Sequence, residues 1–205
     1  MSNELCSSRT KENLMRAFAG EAMSCSRYKI AEKACRQQNL FVLANLFKFT
    51  AAQEKIHGEV FYNHLKKIGG DVTVNADYPA EDGEDALTLL RHSHCHEQKE
   101  HEVVYPEFAK VAREEGFSDI AQDFENIASI ECKHGERYKR FADLLEQGKL
   151  FSSDKQEQWL CLNCGYICCG SAAPETCPVC GQPQGWYIRL SETPWELCTE
   201  CEGKC

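Results

Sequence analysis

The 205-residue sequence lacks long apolar runs, is poor in proline and has no excess of positive charge. No stretch approaches the roughly 18 consecutive apolar residues that a membrane-spanning helix needs. The first residues, MSNELCSSRTKENL, contain no apolar segment of the kind found in a signal peptide. The formal net charge of −9 argues against nucleic acids and anionic membrane surfaces as partners. We therefore expect a cytoplasmic protein that binds neither nucleic acid nor a membrane.

Cysteine is the residue that the sequence has in excess. Nine of its 14 cysteines follow residue 160, most of them in Cys-x-x-Cys pairs. A disulfide scaffold usually belongs to a small secreted chain, and neither condition is met here. Of the two interpretations, a disulfide framework or a reduced metalloprotein, we favour the metalloprotein.

Residues 9 to 148 have apolar residues at helical spacing almost throughout. The four predicted helices begin near residues 9, 39, 82 and 118, and the last three end at Gly69-Gly70, Gly116 and Gly148. Pro106 falls inside the third helix, which must therefore bend or contain a π-bulge there. Very short connections make two antiparallel hairpins, and the two hairpins form a four-helix bundle.

The connection between the second and third helices, Gly70 to Glu81, has about a dozen residues. It reaches about 40 Å when extended, and each helix of roughly 28 residues is about 42 Å long. A ferritin-like topology needs a connection that runs the length of the bundle, so this one barely suffices. A swap of helix hairpins between subunits is the alternative, and the sequence does not decide between them.

Acidic and imidazole side chains occupy the inward stripe of every predicted helix. The first helix contributes Glu21, and each of the others contributes a pair at i, i+3, which places both side chains on one helix face. These pairs are Glu54 with His57, Glu97 with Glu100, and Glu131 with His134. Buried like charges cost several kcal/mol each unless they are compensated. Glutamates with two Glu-x-x-His pairs predict a di-iron centre, and the alternative is a set of solvated surface groups.

Other side chains near this constellation have two interpretations each. His94 and His101 lie on the face of Glu97, either as extra ligands or, as we favour, as part of a solvated face. Tyr28 and Tyr105 lie one to two turns from proposed ligands. They are either core residues or hydrogen-bond donors beside the metals.

Two Cys-x-x-Cys knuckles follow the helical region, Cys161 with Cys164 and Cys177 with Cys180. Each knuckle directs two thiolates at one metal, and the glycine after each second cysteine permits the positive φ that the turn needs. Four thiolates in a tetrahedron hold zinc or iron, and the spacing alone does not decide which. Three further cysteines, Cys198, Cys201 and Cys205, form either a third metal or redox site or, as we favour, a reduced tail.

The motifs together resemble rubrerythrin over nearly the whole chain. In the bundle the resemblance rests on Ala19-Gly20-Glu21, Arg27-Tyr28, Glu54-x-x-His57, Glu97-x-x-Glu100, Tyr105-Pro106-Glu107-Phe108-Ala109-Lys110 and Glu131-x-x-His134 before Glu136-Arg137-Tyr138. The C-terminal region resembles rubredoxin through Cys-x-x-Cys-Gly-Tyr and Cys-Pro-x-Cys-Gly. The fold class expected is all-α, a ferritin-like bundle followed by a small rubredoxin-like domain. We divide the chain into the bundle (1–148), a polar linker (149–158), the rubredoxin-like domain (159–190) and the tail (191–205).

The resemblance implies a peroxidase that reduces hydrogen peroxide to water. An electron-donor reductase or a rubredoxin would supply electrons, relayed through an iron in the four-cysteine site, where zinc is a substitute. The two irons in the bundle would be bridged by Glu54 and Glu131. The resemblance makes Glu21 and Glu97 terminal ligands, gives His134 to the second iron, and lets His57 and Glu100 alternate on the first. It also implies a head-to-tail homodimer.

Two other functions compete with the peroxidase. One is ferroxidase activity or iron storage, which has no need of a rubredoxin-like domain. The other is a non-enzymatic electron carrier or redox sensor that uses the cysteine-rich tail. The chain also departs from the family at His94-Cys95-His96, where small residues and a glycine are usual. We expect this bulk to narrow the site or to displace the helix that carries Glu97.

Overall fold

The computed structural model of the chain describes residues 2–71, 73–75, 78–80 and 83–193. The cysteines of the predicted tail, Cys198, Cys201 and Cys205, lie outside the described residues. The helical elements are α1 (Ser2–Cys6), α2 (Arg9–Gln37), α3 (Phe41–Leu65), α4 (Ala86–Lys99), a π-helical segment (Glu100–Val104), α5 (Tyr105–Glu114) and α6 (Ser118–Glu146). Among these described residues, no helix is both long and apolar enough to cross a bilayer.

Two hairpins of one chain form the bundle, α2 with α3 and the α4–α5 helix with α6. Side-chain caps fix two of the helix starts. Ser8 Oγ accepts a hydrogen bond from Lys11 N at 3.1 Å, and Asp85 Oδ1 accepts one from Thr88 N at 3.0 Å. Both caps satisfy amide groups that the first helical turn leaves without partners. The two hairpins contact each other within the chain, α2 against α5 and α3 against α6.

The break in the third helix lies where the proline predicts it. Pro106 has no N–H, so the regular ladder cannot continue through it. The π segment over Glu100–Val104 ends just before this residue, and Tyr105 N donates to the carbonyl of Glu100. A π segment adds one residue to the α-helical turn that it replaces. Such segments are frequent at functional sites.

The bundle core has two apolar layers with a polar layer between them. One layer contains Tyr28, Phe47 and Tyr138, and the other contains Phe61 and Phe124. These five side chains are at most 1 % exposed, and full burial of each contributes about 1.5–3 kcal/mol. The polar layer holds the predicted glutamate and histidine side chains, so two dry layers enclose it.

The C-terminal domain is a three-stranded antiparallel sheet in the order β2-β1-β3. Its strands are β1 (Ser152–Cys161), β2 (Ile167–Ala172) and β3 (Tyr187–Arg189). The buried Trp159 side chain donates from Nε1 to Gly170 O at 2.9 Å and packs with Tyr187 in a small core. The predicted small domain is present, and its sheet adds strands to an otherwise helical chain.

Strand β1 begins at Ser152, inside the segment 149–158 that the sequence predicts as a linker. The polar side chains of this segment suggest a solvated connection. Pairing with β2, however, depends on backbone hydrogen bonds that any polar strand can make. The register shifts between Ser152 and Glu157, which marks an irregularity within the strand.

The small domain packs on one end of the bundle, against the connection between α2 and α3 and against α6. Trp186 stacks on Phe41 with ring centroids 4.7 Å apart and planes 7° from parallel. Arg140 Nη2 donates to Glu192 Oε1 at 2.7 Å. Gly185 is buried so closely against the helix connection that a Cβ added to it would lie 1.8 Å from Asn39 O. The absence of a side chain at Gly185 is therefore a condition of this packing.

Candidate functional site

Six of the seven predicted bundle ligands meet in the polar layer. Their atoms form two groups of four, in each of which one ligand atom per residue lies within 4.8 Å of the others. The groups are Glu21, Glu54, His57 and Glu131, and Glu54, Glu97, Glu131 and His134. All six side chains are buried. Because Glu54 and Glu131 belong to both groups, two adjacent positions for cations share two carboxylates.

The contacts within these groups fit metal ions better than they fit hydrogen bonds. His134 Nδ1 lies 2.8 Å from Glu54 Oε1 and 2.8 Å from Glu131 Oε2, and His57 Nδ1 lies 2.9 Å from Glu131 Oε1. Yet both Nδ1 atoms, and both carboxylate oxygens of Glu54 and of Glu131, are buried without a well-directed hydrogen bond among the described residues. Lone pairs that converge without intervening protons are the arrangement that a cation requires.

The electrostatics of the layer lead to the same conclusion. Burial, reinforced by neighbouring carboxylates, raises the pKa of Glu21 and of Glu97 well above the usual range. Ionised glutamates in a dry layer are costly unless positive charge compensates them. Carboxylate oxygens with imidazole nitrogens are a donor set for iron or manganese. The residues present therefore fit the pair of irons.

A tyrosine from the opposite hairpin holds each non-shared glutamate. Tyr28 Oη of α2 donates to Glu97 Oε1, and Tyr105 Oη of α5 donates to Glu21 Oε1. Burial raises the pKa of both phenols well above the usual value. The negative charge of the carboxylate that each phenol faces raises it further. Both hydroxyls therefore stay protonated and act as donors. Both tyrosines are therefore hydrogen-bond donors beside the ligand groups, which is one of the two roles that the sequence left open.

Gln53 is a site residue that sequence reasoning missed. Its Oε1 lies 3.1 Å from His134 Nε2, and an amide oxygen can only accept, so the imidazole proton lies on Nε2. The lone pair of Nδ1 then faces Glu54 and Glu131. Orientation of a ligand histidine through its second nitrogen is common at metal sites. A single glutamine gives no sequence signal for this role.

Glu100 lies outside both ligand groups among the residues that the structure describes. It is half-buried on the π segment and faces Gly20, where an added Cβ would lie 4.0 Å from its Oε1. Burial and the charges of Glu131 and Glu54 raise the pKa of Glu100 to about 8. A cavity of about 570 Å³ between α2 and the third helix is lined by both Glu100 and Tyr105.

The bulky residues before Glu97 do not displace it. Glu97 is fully buried within the second ligand group. His94 Nδ1 instead donates to Gly135 O at 3.0 Å, and His101 Nδ1 donates to Ala128 O at 2.8 Å. Both histidines therefore pack against α6 rather than join a ligand group among the described residues. Gly135 makes room for this, since a Cβ there would lie 3.3 Å from Glu97 Cβ and 3.5 Å from His94 Nδ1.

The four predicted cysteines of the small domain also converge. Sγ of Cys161 lies 3.8 Å from that of Cys180, Sγ of Cys164 lies 3.7 Å from that of Cys177, and all four lie within 4.8 Å of one another. Gly165 and Gly181, after the second cysteine of each knuckle, have φ of 80° and 70°. The predicted left-handed turns are thus present, and they direct four thiolates at one point.

Comparison with known proteins finds relatives of both the bundle and the small domain. The family model described as rubrerythrin matches residues 12–142, and that of the rubrerythrin rubredoxin-like domain matches residues 159–188. Rubrerythrin of Clostridium perfringens is 40 % identical over 187 residues, which cover 90 % of this chain and 96 % of the relative. A mixed-valence nigerythrin structure has 29 % identity and a TM-score of 0.61 over 89 % of this chain and 90 % of the other.

A bacterioferritin structure from Desulfovibrio desulfuricans, at 23 % identity, has a TM-score of 0.65 over 72 % of this chain and 85 % of the other, a likeness that concerns the fold alone. With the ferritin-like bundle, the di-iron carboxylate residues and the four-cysteine knuckle all present, this chain belongs to the rubrerythrin family.

Proposed function

We propose that this protein is a peroxidase that reduces hydrogen peroxide to water at the bundle site. One observation carries the proposal: two buried ligand groups share Glu54 and Glu131, and the same chain holds a four-thiolate site. Cleavage of an O–O bond consumes two electrons, which a pair of ferrous ions held by the two ligand groups would supply together. A four-thiolate iron exchanges one electron at a time, which suits the return of electrons from a donor.

The proposed ligand roles follow the two groups. We assign Glu54 and Glu131 as bridging ligands because both belong to each group. Glu21 and Glu97 are terminal carboxylates, each fixed by a tyrosine hydroxyl, and His134 completes the second group. Tyr28 and Tyr105 donate hydrogen bonds to these two carboxylates and would stabilise negative charge on them.

An exchange between His57 and Glu100 is part of the proposal. His57 belongs to the first ligand group, whereas Glu100 faces the layer from the π segment across Gly20. A carboxylate is the better ligand for the harder ferric ion, and a neutral imidazole suits the ferrous ion.

We propose a bundle over 1–148 joined through 149–158 to a rubredoxin-like domain over 159–190, with the tail beyond it. A reductase or a rubredoxin would supply electrons to the four-cysteine site. A head-to-tail homodimer would bring the four-cysteine site of one subunit to the bundle of its partner.

Stopped-flow reoxidation tests the proposed function. The iron-loaded full chain is reduced without oxygen and mixed with hydrogen peroxide or with dioxygen. We expect faster reoxidation by peroxide and repeated turnover when a donor is supplied. Glu131→Gln should abolish turnover, whereas Glu136→Gln, an exposed position on the same helix, should not. Faster reaction with dioxygen would favour a ferroxidase, and a single stoichiometric oxidation would favour an electron carrier or redox sensor.

A further inference from the structure

A groove between α3 and α6 reaches the polar layer from the face opposite the cavity at Glu100. Its volume is about 520 Å³. That size falls within the range of small-molecule sites, which are largely apolar with a few placed polar groups. Its lining includes Phe49, Gln53, Ile56, His57, Asp123 and Ile130.

The walls of this α3–α6 groove are apolar and open to solvent. Ile56 is 54 % exposed, Phe49 39 % and Ile130 38 %. The single charged lining residue, Asp123, is already paired, with Oδ2 at 2.7 Å from His64 Nε2. An apolar ligand would therefore gain buried area on these walls and meet no uncompensated charge.

The floor of the groove carries two polar side chains that both belong to the site. His57 lines the groove while its Nδ1 faces the carboxylates of the first ligand group. Gln53 lines the groove beside His57, and its Oε1 accepts a hydrogen bond from His134 Nε2. A ligand with an apolar body and a small oxygen-containing head would thus place its head next to the proposed di-iron site.

We propose that the α3–α6 groove binds organic hydroperoxides, with the apolar group between Ile56 and Ile130 and the hydroperoxide at His57 and Gln53. This inference rests on the proposed peroxidase function and names a second class of substrate for it. The O–O bond of the hydroperoxide breaks, two electrons from the reduced site enter, and two protons are taken up. The products are one alcohol and one water molecule.

The groove has the size of a small-molecule site, for which volumes of about 300–1,000 Å³ are usual. Its polar side chains His57 and Gln53 lie next to the ligand layer, where they suit a small polar head. The His57 ring lies between the bound hydroperoxide group and the ligand layer. Departure of that ring, as in the proposed exchange with Glu100, would join the groove to the site.

Binding is measured first, because it does not depend on turnover. Isothermal titration of the iron-loaded full chain with cumyl alcohol, the reduction product of cumene hydroperoxide, should give a saturable site. Ile56→Gln and Ile130→Gln should each raise the Kd about fivefold, as loss of apolar contact predicts. Ile30→Gln is the matched control, since Ile30 lies on α2 and is 67 % exposed. All three positions are exposed, so the fold should be retained.

Kinetics then separate this inference from the proposed function. With cumene hydroperoxide, kcat/KM should fall about fivefold in Ile56→Gln and Ile130→Gln, while hydrogen peroxide turnover stays unchanged. Turnover of hydrogen peroxide without binding of cumyl alcohol would overturn the groove proposal alone. Loss of both turnovers in these variants, or a changed oligomeric state, would instead identify the groove as a protein interface and would also overturn it.

Discussion

At the scale of single residues, the hydrogen bonds to the site cross from one hairpin to the other. Tyr28 belongs to the first hairpin and holds Glu97 of the second, and Tyr105 of the second holds Glu21 of the first. A hydrogen bond to a buried charged group contributes about 1.5–3 kcal/mol. Each tyrosine therefore fixes a terminal carboxylate and ties the two hairpins together at the level of the site.

We expect Tyr28→Phe to lower peroxide turnover about tenfold while iron content and helical content stay unchanged. The ring still fills its place in the core, but Glu97 Oε1 loses its donor and its orientation. Steady-state kinetics with metal analysis measure the effect. Tyr138→Phe is the matched control, because Tyr138 is equally buried and its hydroxyl donates to no site carboxylate among the described residues. Equal losses in both variants would refute a specific role for Tyr28.

At the scale of secondary-structure elements, the two hairpins repeat one arrangement. A glycine follows each Glu-x-x-His motif and faces the terminal glutamate of the same hairpin. A Cβ at Gly58 would lie 3.4 Å from Glu21 Cβ, and one at Gly135 would lie 3.3 Å from Glu97 Cβ. Close approach of the helices at these glycines sets the distance between each terminal glutamate and the shared carboxylates.

The π segment accounts for the difference between the repeats. Tyr28 follows Glu21 by seven residues, whereas Tyr105 follows Glu97 by eight. The extra residue lies in Glu100–Val104, where the helix is π-helical. Both tyrosines still reach the opposite glutamate, and the widened turn carries Glu100, which has no counterpart in the first hairpin. The repeat is thus offset by one residue in the sequence.

Gly135→Ala should weaken iron binding in the bundle about tenfold. The added Cβ would press on Glu97 and His94, although alanine itself favours the helix by about 1 kcal/mol. Iron release to a chelator, followed with the four-cysteine absorption as internal reference, measures the change. Gly20→Ala is the control, because its Cβ would make only an ordinary contact, 4.0 Å from Glu100 Oε1. Unchanged release from Gly135→Ala would contradict this account of helix spacing.

The start of α2 provides a pH-dependent contribution to stability. Glu115, at the end of α5, accepts hydrogen bonds from Arg9 N at 3.1 Å and Thr10 N at 2.9 Å. Although burial opposes it, hydrogen bonding from Thr10 lowers the pKa of Glu115 below its ordinary value. A lowered carboxyl pKa stabilises the fold above the unfolded pKa of about 4.3, and this is lost as the pH falls through the folded pKa.

Glu115→Gln should therefore reduce the free energy of unfolding by about 1 kcal/mol at pH 7, the usual size of a cap. The difference from the wild type should be constant above the unfolded pKa of about 4.3 and should shrink as the pH falls below it. Thermal unfolding of both proteins across this range measures it. Glu114→Gln, the exposed neighbour, is the control and should show no such difference. A gap between wild type and Glu115→Gln that stays constant with pH would exclude the ionised cap.

At the scale of the whole molecule, helical spacing and cysteine spacing were enough to predict the bundle and the knuckle domain. Both depend on local periodicity that the sequence displays directly. Other features depend on neighbours distant in the chain. The partner of Gln53, the space beside Gly135 and the pairing of β1 within the predicted linker each require a second element, and no local pattern encodes it. The packing of the small domain on the bundle likewise depends on residues that are distant in the sequence.

Gly185→Ala should separate the small domain from the bundle without unfolding either. The added Cβ would lie 1.8 Å from Asn39 O, and Asn39 is held in the left-handed region at φ 59° between two long helices. The small domain must therefore move, which breaks the stack of Trp186 on Phe41. We expect a larger radius of gyration by small-angle scattering, with the absorption of the four-cysteine iron and the helical content retained. Val179→Ala, at a 66 % exposed position of the same domain, should leave the radius unchanged. A Gly185→Ala protein as compact as the wild type would show that other contacts, such as Arg140 with Glu192, are sufficient to hold the domains together.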